Sequence, residues 1–207
     1  SELDVCFEPE TGGEATRWVQ YDGGLTTFTS EVRDFKTGAQ AEEFGMAFEE
    51  NDPDSGSGHP AAVVSSHGTG KISAIPFGAG TQDIKGAAPG MRRFFDSVVS
   101  ELLPNPIVRK ESSSRVDVTL SRKDGAAYIH LVNSGGNHSD RNTYVYDEIP
   151  PTGPISLEID MRKLLGKVAA KVTLEPGGRE PSWSIDGEVL RVDLPGVEVY
   201  DILRLEG

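Results

Sequence analysis

Apolar and polar residues alternate along the second half of the chain. In "VDVTL", "ISLEI" and "VLRVDL" every second side chain is apolar, the two-residue period of a strand with one buried and one wet face. The same reading extends to "RVDVTLSR", "AAYIHLVN", "NTYVYDEI", "ISLEIDM", "KVTLEP", "SWSI", "VLRVDLP" and "VEVYDILRL". Turn residues separate these segments: Lys123-Asp124-Gly125, Ser134-Gly135-Gly136, Pro176-Gly177-Gly178, Asp186-Gly187 and Pro195-Gly196. Short strands punctuated this regularly predict an antiparallel β-sandwich or barrel.

The first half has a different rhythm. In "PGMRRFFDSVVSELLPNP", Met91, Phe94, Phe95, Val98, Val99 and Leu102 recur at helical spacing, and Arg92, Arg93, Asp96, Ser97, Ser100 and Glu101 fall on the other side. Pro89 suits the first turn of this helix and Pro104 stops it. Its apolar stripe needs a sheet to cover. "PAAVVSSHGTGKISAIPF" supplies one, as two β-rich runs about His67-Gly68-Thr69-Gly70, a hairpin pattern. "DVCFEP" and "TRWVQYDGG" read as short strands, and "AQAEEFGMAFEEND" as a helix through Ala41, Phe44 and Phe48, weakened by Gly45. The whole chain thus reads as α+β and mostly β. Residues 1–106 form a small α/β or α+β subdomain with one clear amphipathic helix, and residues 107–207 a β-sandwich.

Composition narrows the function classes. The 24 glycines and 13 prolines in 207 residues favour short strands over long helices. A net charge of -13, with 14 Asp/Glu against 3 Lys/Arg in residues 1–60, argues against nucleic acid and anionic membranes as partners. No apolar run approaches the roughly 18 residues of a membrane span. The one cysteine, Cys6, allows neither an internal disulfide nor a cysteine zinc site, and its strand setting predicts a buried thiol.

Several stretches invite a chemical reading. Gly70-Lys71 suggests a phosphate loop, but Ser65 stands where the first glycine belongs, Ile72 replaces the metal-binding hydroxyl, and a strand follows instead of a helix. Ser65, Ser66 and His67 lack the strand-to-helix elbow of a hydrolase nucleophile. Asp147 and Glu148 are adjacent, so on a strand they face apart and cannot flank one glycosidic bond. The polar loop "NSGGNHSDRN" has no calcium-loop spacing, and its Asn137-His138-Ser139 is a glycosylation sequon only in a eukaryotic secretory route. No catalytic residue, metal or cofactor is expected. Aromatic candidates for stacking on sugar rings are Trp18, Tyr144, Tyr146 and Trp183, with Tyr128 beside them. Candidates for a loop at the rim of a site are Asn133, Asn137, His138 and Asp140.

The stretches "PAAVVSSHGTGKISAIPFGAG", "LLPNPIV", "HLVN", "DEIPPTGP" and "LEPGG" resemble the C-terminal accessory region of multidomain bacterial glycoside hydrolases of the β-galactosidase and α-L-fucosidase-like kind. The resemblance covers residues 60–207. It implies an amidotransferase-like, flavodoxin-type segment followed by a β-sandwich, both downstream of a catalytic barrel in the same parent chain. The barrel's carboxylates would lie upstream of Ser1, so no catalytic residue carries over. What it implies is a non-catalytic segment serving domain packing, oligomer contacts or an active-site rim, with carbohydrate and a second copy of the chain as further partners. A carbohydrate-binding module is the alternative, and an independent glycoside hydrolase the second alternative.

Overall fold

A computed structural model of the chain describes residues 4–7, 13–21, 24–33, 35–55, 58–80, 89–112, 115–135 and 149–207. It is mostly β, its strands pair antiparallel, and helices are few. Two compact units are present, Ser1–Asn105 and Pro106–Gly207. No helix among the described residues is long and apolar enough to cross a membrane.

The strands of the first unit are β1 (Val5–Phe7), β2 (Ala15–Tyr21), β3 (Gly24–Ser30), β4 (Phe35–Thr37), β5 (Ala41–Phe48), β6 (His59–His67) and β7 (Gly70–Ala74), followed by α1 (Pro89–Leu102). β1 pairs with β4, and the others form a sheet in the order β3-β2-β5-β6-β7. Every pairing in that sheet is antiparallel. A flavodoxin-type segment requires a parallel sheet with crossover helices, so that expectation is corrected. The physical reason is the connections: β2–β3 and β6–β7 are joined by two residues each, enough for a hairpin and far too few for a crossover.

Residues 41–48 are a second correction, a strand and not a helix. Gly45 has φ +65°, which breaks any helical run, and the segment pairs with β2 on one side and β6 on the other. Backbone groups satisfied by two neighbouring strands outweigh a three-apolar helical spacing. Cys6 is a third: Val5 points into the unit and is buried, so the next side chain on the strand points out, and the thiol is exposed. The His67–Gly70 turn is a hairpin as expected, with Gly68 at φ +59°. Lys71 there meets Glu101 of α1, Nζ to Oε2 3.2 Å.

The helix packs across β2, β3 and β7. Met91, Phe94 and Val98 are buried, and Phe95 is half-buried against the same core. Phe28 and Phe77 stack with ring centres 4.0 Å apart, and Phe94 continues the column at 6.2 Å from Phe77. Val99 and Leu102 remain exposed, so the covered stripe is narrower than the sequence spacing implies.

In the second unit, β8 (Val108–Glu111), β9 (Val116–Lys123), β10 (Ala126–Asn133), β11 (Ile155–Asp160), α2 (Met161–Leu165), β12 (Lys171–Glu175), β13 (Ser182–Asp186), β14 (Val189–Leu194) and β15 (Tyr200–Glu206) follow in order. They form two four-stranded sheets, β12-β15-β10-β9 and β13-β14-β11-β8. Ala127, Ile129, Leu131, Leu203 and Leu205 of the first and Ile155, Leu157, Ile159, Leu190 and Val192 of the second are buried in one hydrophobic cluster. Alternation puts these residues on one side of each strand. The β9–β10 turn is two residues, Asp124 at φ +52° and Gly125 at φ +80°, the pair of positive angles of a type I′ hairpin. Asp160 caps α2 by accepting from the Lys163 N–H at 2.9 Å, and Gly166 at φ +72° closes it by donating to the Arg162 carbonyl. The expected strand "NTYVYDEI" lies outside the described residues.

Candidate functional site

The sequence-derived candidates scatter. Trp18 lies on β2, where Val19 is fully buried in the core. Consecutive strand residues face opposite ways, so the half-buried indole sits on the other face, paired across the sheet with Thr27 and Phe48. On the same face the Thr16 and Thr29 hydroxyls lie 3.0 Å apart. Trp183 sits opposite the buried Val192 and packs against the core of the second unit, at the open edge of its sheet. Tyr144, Tyr146, Asn137, His138 and Asp140 lie outside the described residues.

Asn133 is described, and its role differs from that of a solvent-facing rim residue. It ends β10 and is buried. Its Nδ2 group donates to the carbonyls of Pro150 at 2.9 Å, Glu198 at 2.7 Å and Val197 at 3.4 Å. Its Oδ1 accepts from the Gly135 N–H at 2.9 Å. Thr152 adds a second latch: its N–H donates to the Val197 carbonyl at 2.9 Å, and its Oγ1 accepts from the Val197 N–H at 2.8 Å. Together they bind the chain before β11 to the chain before β15. Gly196 fits between because it lacks a Cβ, which would lie 2.4 Å from the Thr152 carbonyl oxygen.

This latched edge is one wall of a cavity of about 550 Å³. Pro151, Thr152, Pro176, Pro195, Glu198 and Val199 line it, with Arg179, Tyr200 and Asp201. Asp201 is only 7% exposed, and its Oδ1 accepts from Arg179 Nη2 at 2.9 Å. Among the described residues its second oxygen accepts no hydrogen bond. Burial pushes the Asp201 carboxyl above the usual range, the Arg179 charge pulls it down, and the Glu198 charge pushes it up again. Arg179 is held at its backbone by two hydrogen bonds to Leu174, N–H to carbonyl at 3.0 Å and the reverse at 2.7 Å. Tyr200 is fixed as well: its hydroxyl is bonded to His130 Nδ1 at 2.5 Å, and His130 Nε2 to Ser121 Oγ at 2.8 Å.

A larger cavity of about 670 Å³ lies in the first unit beside the Arg17–Glu49 pair, 3.1 Å. Glu49 is half exposed there and largely solvated, so the pair carries little beyond a surface ion pair. The second-unit cavity is the stronger candidate because its carboxylate is buried and held. No group of three or more His, Cys, Asp or Glu among the described residues is arranged to hold a metal. Neither Arg179 nor Asp201 stood out in the sequence. The one available signal was an aspartate on the apolar phase of the strand "YDILRL", where Leu203 and Leu205 share its side.

No family model and no curated protein matches the chain. Solved structures do. The α-L-fucosidase isoenzyme 2 from Paenibacillus thiaminolyticus aligns over 99% of this chain with a TM-score of 0.70 and 13% identity. Gan42B, a GH42 β-galactosidase from G. stearothermophilus, aligns over 100% with a TM-score of 0.51 and 14% identity. This chain spans 33% of the first and 24% of the second. At such identities the likeness is one of fold.

Proposed function

We propose that the chain is a non-catalytic accessory segment of a glycoside-hydrolase-like protein, its second unit an antiparallel β-sandwich. In this reading a catalytic barrel belongs to the same parent polypeptide, and the segment serves domain packing, contacts between copies, or the rim of the barrel's site. One observation carries the reading: virtually the whole chain aligns with part of a fucosidase, and that part is a third of the larger protein.

The test is direct. The purified 207-residue chain, shown to be folded by circular dichroism, is assayed on nitrophenyl β-galactoside and α-L-fucoside. No turnover above the uncatalysed rate is expected. Turnover abolished by Asp201→Asn would refute the non-catalytic reading. An open reading frame without a barrel next to this segment would refute the accessory one.

A further inference from the structure

Tyr200 and Asp201 are consecutive on β15 and face opposite ways, so the second-unit cavity does not gather its polar groups on one wall. The first-unit cavity does. Arg17 shares a side of β2 with the buried Val19, and Phe28 lies opposite Arg17 on β3. Ala47 lies opposite Val19 and opposite His59, and Glu49, two residues on, reaches Arg17. These side chains therefore stand on one face of the sheet, and all but Val19 line the cavity. Its other wall is the segment at Phe77, bridged to Val32 and held by the Arg33 N–H on the Pro76 carbonyl at 2.8 Å. No residue of α1 lines it. We propose that this cavity binds a free α-amino acid with an apolar side chain.

The volume of about 670 Å³ lies within the roughly 300–1,000 Å³ of small-ligand sites. Below, Phe28 and Phe77 stack at 4.0 Å and, with Ala47 and Val32, give a floor for a hydrocarbon or aromatic side chain. Above, a guanidinium and a carboxylate lie side by side, Arg17 Nη2 to Glu49 Oε1 3.1 Å. An amino acid carries its carboxylate and ammonium side by side too, on the two substituents of one carbon. Its carboxylate accepts from Arg17 and its ammonium donates to Glu49, so both charges meet their opposites. Among the described residues Glu49 Oε2 accepts no hydrogen bond, and Arg17 is oriented in advance by Nη1 donating to the Thr16 carbonyl at 3.1 Å. The lining as a whole holds two acids, Glu14 and Glu49, two arginines, Arg17 and Arg33, and His59. That near balance favours neither a net anion nor a net cation and suits a zwitterion. A pair as exposed as Arg17–Glu49 contributes little stability by itself, so setting a second pair beside it disturbs nothing the fold depends on.

The site is independent of the accessory role. Turnover by the chain would overturn that role and leave this site intact, while absence of binding would remove the site and leave the role. The experiment is a titration of the intact chain, followed by ¹H–¹⁵N NMR, with L-phenylalanine, L-leucine, glycine, phenethylamine, 3-phenylpropionate and N-acetylphenylalanine amide. Saturable shifts centred on Arg17, Phe28 and Glu49 are expected with phenylalanine and leucine. Glycine, which lacks the side chain, and the three analogues that lack one or both charges are expected to bind roughly tenfold or more weakly. Arg17→Gln and Glu49→Gln, each at a part-exposed side chain, are expected to weaken phenylalanine binding to a similar degree, roughly tenfold, while the remaining spectrum is retained. No saturable shift with phenylalanine or leucine at tens of millimolar overturns the proposal. So does an analogue without one of the charges that binds as tightly as phenylalanine, or unchanged affinity in the folded Arg17→Gln and Glu49→Gln proteins.

Discussion

Asn133 donates one amide group to three main-chain carbonyls, and the edge of the cavity follows from that. Asn133→Ala leaves those acceptors without their donor in a buried place and is expected to cost about 2 kcal/mol. Asn133→Asp keeps the shape but sets an oxygen against them, so it should be at least as damaging; urea melts of the three proteins check the order. Asp201 shapes the response to pH. Burial raises its pKa above the ordinary 3.8, so the folded protein holds this proton more tightly than the unfolded chain. Its contribution to stability is therefore complete below the unfolded pKa and is lost as pH rises through the folded one. Asp201→Asn is expected to flatten that decline above about pH 4, read as melting temperature against pH. Curves of the same slope for both proteins would contradict this. Little of it was legible beforehand. The sequence marks Asn133 as a polar residue beside a glycine turn, and it takes the folded neighbours at Pro150 and Val197 to turn it into a latch.

At the scale of elements, α1 lies on its sheet at two glycines. A Cβ on Gly45 would approach a Phe94 ring carbon to 3.0 Å; one on Gly90 would meet Thr26 Cβ at 2.6 Å and Tyr21 Cε1 at 2.7 Å. Gly90→Ala sets a helix-propensity gain of up to about 1 kcal/mol against overpacking of about 1–3 kcal/mol. The gain is reduced because Gly90 stands in the first turn. A net loss of about 1–2 kcal/mol in denaturant stability is expected; a stabilised variant would show that the helix can lift off without cost. The helix itself was readable from its period, and so were β9 to β15, where alternation and turn residues coincide. β5 was not, because Ala41, Phe44 and Phe48 fit a helical spacing while Phe44, Met46 and Phe48 also alternate. Pairing on both sides decided between the two periods. β8 is read poorly for the opposite reason: as an edge strand of four residues, three of them charged, it has almost no apolar pattern.

The whole molecule consists of two units, each with its own buried cluster, and its sheets end in strands that differ in how they are guarded. The edge strand β8 carries Arg109, Lys110 and Glu111, and β9 carries Asp117, Arg122 and Lys123. Unsatisfied strand edges are templates for other chains, and charges of this kind are the usual protection. β13 has one charge, Asp186, in "SWSID", and its Ile185 is exposed. Among the edges of the second unit, intermolecular strand addition during heating or concentration is therefore expected to begin there, with fibrillar aggregates recruiting further copies at that seam. Ser182→Lys puts a cation opposite Asp193 and should slow aggregation, followed by light scattering and thioflavin fluorescence. Its melting temperature should change little, because an exposed substitution of this kind moves stability by about 0.5 kcal/mol or less. The segment that lends its tryptophan to the core thus leaves its own backbone as the seed for uncontrolled polymer growth.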